Sequence, residues 1–129
     1  MTPSGQTRRA DDAPDPGAVL SQAAVQAARL LAIPQADLAD IIGVSAPMMS
    51  RIANGHKQLE PGSKAWQLAA LFVRVFRALD AIVGSSDTAA RAWMRGENHA
   101  LGGIPLHLMR DPAGLARTLD YLDAARARL

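Results

Sequence analysis

The sequence predicts an all-α protein, and three observations support that. Ala, Leu and Arg dominate it, while aromatic residues make up only 4%. No run of β-branched residues alternates with polar ones as a half-buried strand would. Apolar residues instead recur at three- and four-residue spacing, between residues that start and stop helices.

The elements follow in order. Met1 to about Pro16 contains three prolines and almost no large apolar side chain. Such a stretch buries too little surface to offset its ordering entropy, and a flexible tail is expected. Leu20 to Ala32 is the first predicted helix. A second starts at Pro34, where the missing N–H costs nothing, and runs to Ile42 with Leu38, Ile41 and Ile42 inward. Gly43 ends it and Ser45 offers an N-cap for a third, Ala46 to Asn54, closed by Asn54-Gly55. A polar loop from His56 to Gly62 leads to a long helix from Ser63 to Val83. Its stripe of Leu68, Phe72, Val75, Leu79 and Ile82 has a second apolar flank in Leu71, Phe76 and Val83. A helix apolar on two sides has to pack against more than one neighbour. Ser85-Ser86 caps a short helix to Arg95 that Gly96 closes, and a loop with Gly102-Gly103 and Pro105 gives one helical turn over Leu106 to Met109. Asp111-Pro112 then starts the last helix, which carries Leu115, Leu119 and Leu122.

Composition excludes several classes. The chain of 129 residues is 49% hydrophobic and 20% charged, a globular composition. No apolar run approaches the roughly 18 residues of a membrane span. The N-terminal stretch leads into acidic, Pro-rich sequence rather than a secretory signal. The absence of cysteine excludes disulfides and thiolate zinc sites, and fits a reducing cytoplasm. His56, His99 and His107 lack the spacing of a helical zinc pair, and Gly102-Gly103 follows no strand. No catalytic, cofactor or metal site is expected. The net charge of +2 is unevenly placed. From Gly17 to Ser63, Arg29, Arg51 and Lys57 balance Asp37, Asp40 and Glu60; from Lys64 onward, nine basic residues face six acidic ones.

The segment from Pro34 to Gly55, PQADLADIIGVSAPMMSRIANG, resembles an Xre-type helix-turn-helix. Ala39 is small where the two helices cross, Gly43 suits the tight turn, and Leu38, Ile42, Val44, Met49 and Ile52 would pack beneath the pair. The resemblance implies that the second helix of the motif enters the major groove while the first crosses the backbone. Gln35 would then donate to a phosphate, and Ser45, Ala46, Pro47, Met48, Ser50 and Arg51 would face the groove, with Arg51 suited to a guanine edge. Asn54, His56 and Lys57 would lie near the backbone. Ala46, Pro47 and Met48 stand where DNA readers usually carry polar or basic side chains, and a charge-balanced module gains little from counterion release. The motif is therefore either an operator reader, helped by dimerisation, or a retained scaffold.

The stretch from Ala92 to Met109, AWMRGENHALGGIPLHLM, is similar to the C-terminal domain of Xre/ParS/MbcA antitoxins, which partner RES-domain toxins. With the helix-turn-helix, that resemblance spans about Ala32 to Leu129. It implies an all-α chain with a tail (1–16), an Xre-like helix-turn-helix bundle (17–63), a long connecting helix (64–84) and a small helical toxin-binding domain (85–129). It also implies an antitoxin of a type II system that obstructs the active site of an NAD-consuming or ADP-ribosylating toxin and represses its own operon, as a homodimer within a larger complex. Trp93, Asn98, Leu101, Gly102, Arg126, Arg128 and the Leu129 carboxylate would engage the toxin. Read from the residues alone, Asn98 organises a turn, and Trp93 fills a core or meets a partner. The alternative function is a stand-alone dimeric Xre-family repressor.

Overall fold

In the computed structural model, which describes residues 14–129, the fold is all-α. Seven helices are found among the described residues: α1 (Pro16–Leu30), α2 (Gln35–Ile42), α3 (Ala46–Ala53), α4 (Lys64–Ile82), α5 (Asp87–Arg95), α6 (Pro105–Leu108) and α7 (Pro112–Ala127). Most of the expected tail, up to Ala13, lies outside the described residues. None of the described helices is long and apolar enough to cross a membrane.

The first helix departs from expectation. It starts at Pro16 rather than Leu20, with Asp15 as N-cap accepting from the Gly17 N–H at 3.3 Å. Asp-Pro is the same start signal read correctly at Asp111-Pro112, and here it sits in sequence that reads as tail. What secures this first turn comes from far along the chain. The buried Ser21 hydroxyl donates to the Gly17 carbonyl at 2.6 Å and accepts from the Leu59 N–H at 2.8 Å. The loop after α3 is thereby tied to α1, with Leu59 buried beneath it.

The other end of α1 is also set by distant residues. Ala32 adopts a left-handed conformation (φ 55°) so that the Ile33 N–H can close the helix on the Ala28 carbonyl at 2.8 Å. A non-glycine residue in that conformation costs roughly 1–2 kcal/mol. Arginines of α5 offset the cost by binding the carbonyls exposed there. Arg91 Nε donates to the Leu30 carbonyl at 2.8 Å, and Arg95 donates to the carbonyls of Leu31 and Ala32. An Arg110–Asp37 ion pair at 3.1 Å makes a further link to α2.

Helix α4 fills the role its two apolar flanks predict. It packs on α1 and α2 on one side and on α5 and α7 on the other, burying Leu68, Phe72, Val75 and Leu79. A continuous core runs through it, from Leu31, Ile41 and Met49 in front to Met94, Leu115 and Leu122 behind.

Candidate nucleic-acid and partner interfaces

The α2–α3 pair has the geometry its sequence demands. Gly43 takes φ 75°, and the N–H groups of Gly43 and Val44 both return to the Ala39 carbonyl, at 2.9 and 3.0 Å. Leu38, Ala39, Ile42, Met49 and Ile52 are buried beneath the pair, and Val44 is half-buried. Ser45 caps α3, its hydroxyl accepting from the Met48 N–H at 3.2 Å. At the far end of α3, Gly55 (φ 80°) turns the chain, and the N–H groups of His56 and Lys57 both bond the Arg51 carbonyl. The backbone of Arg51 therefore fixes the loop that carries the two basic residues after the helix.

Gln35, Ser45, Ala46, Pro47, Arg51, His56 and Lys57 are exposed, whereas Ser50 and Met48 are half-buried. The exposed side of α3 is thus short-sided and nearly apolar, with Arg51 as its one exposed cation. Such a surface can approach a groove closely, touch thymine methyls and place one guanidinium on a base edge.

In the C-terminal domain, Asn98 organises its loop as expected. Its side-chain oxygen accepts from the Leu101 N–H at 3.0 Å, while its backbone pairs with Gly103 on both sides and Gly102 takes φ 81°. Leu101, expected to meet a partner, points inward and is 4% exposed. Its carbonyl accepts from Arg117, so this residue shapes the loop from within. Trp93 is half-buried and stacks with Tyr121, with centroids 6.3 Å apart and planes 23° from parallel. The stack joins α5 to α7 and leaves part of both rings at the surface, so Trp93 fills space and remains accessible. Arg126, Arg128 and Leu129 are exposed beyond Leu122, the last buried residue of α7.

Two residues that the sequence did not single out also stand out here. Arg29 on α1 lines one cleft with Asn54 and a second with Gln35, and Tyr121 partners Trp93. Each is placed by where another helix comes to lie, so the local spacing carries no sign of it.

An exposed recognition helix, held at both ends and fused through a shared core to a second helical unit, defines a helix-turn-helix protein with a built-on partner domain. Comparison with family models agrees. Residues 11–74 match the antitoxin Xre-like helix-turn-helix domain, and residues 78–128 match the antitoxin Xre/MbcA/ParS C-terminal toxin-binding domain. The chain belongs to the Xre/MbcA/ParS antitoxin family. The two matches meet within α4, the helix that both halves share. A comparison with curated proteins finds no match.

Proposed function

We propose that this antitoxin neutralises a RES-domain toxin, one that consumes NAD or transfers its ADP-ribosyl group, by obstructing the toxin's substrate cleft. In this reading the pair forms a cytoplasmic type II system. The antitoxin also represses its own operon as a homodimer within the complex, reading the operator with α3. The observation that carries the obstruction is the last turn of α7, which extends past the final core residue with Arg126 and Arg128 exposed. Guanidinium forks on a protruding turn suit the carboxylates and backbone carbonyls at the mouth of a partner's cleft. The Trp93–Tyr121 stack supplies an aromatic anchor beside it, and the Asn98–Gly103 turn supplies a rigid rim.

Co-expression with the product of the adjacent gene tests this reading, with the mass of the purified assembly giving stoichiometry. The full chain is expected to abolish NAD turnover by the partner. Removal of residues 126–129 should preserve folding, because nothing buried is lost, yet restore turnover. A shortened chain that inhibits at full strength would mean that the last turn obstructs nothing. Promoter binding with no co-purifying partner would favour the stand-alone repressor.

A further inference from the structure

Arg29 stands in the last turn of α1, where two adjoining clefts meet. The larger, about 530 Å³, lies between α1 and the end of α3, and its polar lining includes Gln22, Gln26, Arg29, Asn54 and Gln58. The smaller, about 100 Å³, reaches from Arg29 to Gln35 at the start of α2. Arg29 thus bridges the two places where a DNA backbone would pass a recognition helix: the entry to α2 and the exit from α3.

The chemistry of this lining is that of an anion site. Four side-chain amides offer N–H donors, and the guanidinium offers a planar fork matched to phosphate oxygens. Among the described residues, neither cleft includes a carboxylate in its lining, and no carboxylate pairs with Arg29. A metal cation would find no charged oxygen here, and an apolar segment would have to desolvate four amides and a guanidinium. A phosphodiester can accept from the guanidinium and from the N–H groups of these amides.

We infer that Arg29, with the amide-lined cleft beside it, seats a backbone phosphate of the duplex that α3 reads. The inference rests on the operator-binding reading above and deepens it. It also accounts for how a charge-balanced domain with a nearly apolar recognition helix holds DNA. Arg51, Lys57 and Arg29 are the three cations between Gly17 and Ser63, and all three then serve one surface, two at the exit of α3 and one at the entry to α2. The Asp37 carboxylate near that entry is neutralised by Arg110, from the C-terminal domain.

The experiment titrates the full chain against a duplex of its own promoter, and against a scrambled duplex of equal length, across a salt series. Arg29→Ala should weaken both complexes by the same factor and reduce the slope of log K against log salt by about 0.9. The deficit at 50 mM salt should therefore be about 3.5 times that at 200 mM. Arg29→Lys should keep the slope, since it keeps the charge. Arg51→Ala should instead narrow the ratio between promoter and scrambled duplex. A parent that binds while Arg29→Ala matches it in affinity and slope would overturn the inference and leave operator binding intact. Equal losses in the Ala and Lys variants with an unchanged slope would also overturn it, marking a packing role. A parent that binds neither duplex would remove both readings together.

Discussion

Helices α1 and α7 begin with the same local construction. Each has an Asp N-cap, a proline in its first position, a glycine within the first turn and a buried hydroxyl four residues after that glycine. In each, a glycine Cβ would collide with a carbonyl from elsewhere: Leu59 O at 2.3 Å for Gly17, and Leu108 O at 2.0 Å for Gly114. The hydroxyls then differ. Thr118 donates to the Gly114 carbonyl at 2.8 Å and bonds nothing further among the described residues, whereas Ser21 also accepts from Leu59, 38 residues away. The same start thus fixes a helix locally in the rear half and ties down the loop after α3 in the front half. DNA presents a fixed groove, so the residues that meet it benefit from being held in advance. The last turn of α7 leaves Arg126 and Arg128 exposed, and fixing those side chains on a partner would cost rotamer entropy that the contact has to exceed.

The largest effect expected from this comparison is at the glycines. Gly114→Ala would gain up to about 1 kcal/mol of helix propensity, yet its Cβ would force α6 and α7 apart at a backbone atom that has no rotamer to escape into. A net loss of about 2–3 kcal/mol is expected, read as a lower thermal midpoint. Gly17→Ala should lose a similar amount and, unlike Gly114→Ala, should also weaken promoter binding, because the displaced carbonyl belongs to the loop carrying His56 and Lys57. Equal effects of the two variants on DNA would break the contrast between the halves.

Next in size is Ser21→Ala. The Leu59 N–H would stay buried without a partner, at a cost of about 1–3 kcal/mol. Hydrogen exchange at Leu59 should rise well above that of neighbouring core amides, and the affinity for promoter DNA should fall with it. Faster exchange with unchanged affinity would show that the tether serves stability alone.

The same contrast explains what was legible in advance. Gly43, Ser45, Asn98 and Asp111 could be assigned because each acts within four or five residues of itself, a distance over which turn and cap chemistry is decided. Helix α4 was legible through its two apolar flanks, which demand two neighbours without naming them. The start of α1 was missed although Asp15-Pro16 is a local signal, because it sits in sequence that reads as tail and Ser21 is buried only once Leu59 folds over it. The end of α1 was placed within two residues, but not the glycine-like conformation of Ala32, which is stabilised from α5 some sixty residues later. At the candidate sites, Arg51 and the exposed end of α7 followed from position within a helix. The inward turn of Leu101, the Trp93–Tyr121 stack and the placement of Arg29 all depend on which helices meet.

The smallest effect should come from Thr118→Val, and it sharpens the comparison most. The side chain is fully buried, and valine nearly matches threonine in shape. The lost hydroxyl serves only the Gly114 carbonyl, which is already bonded within the helix. No buried group is left without a partner, and removing a polar atom from an apolar core recovers part of its desolvation cost. The change should lie within about 0.5 kcal/mol of zero, with an unchanged midpoint in denaturant titration. Ser21 carries the same chemical group, likewise four residues after its glycine, so a gap of 1 kcal/mol or more between Ser21→Ala and Thr118→Val measures the long-range bond to Leu59. If instead Thr118→Val cost as much as Ser21→Ala, the intrahelical bond would account for both losses, and the tether to the loop after α3 would carry no weight of its own.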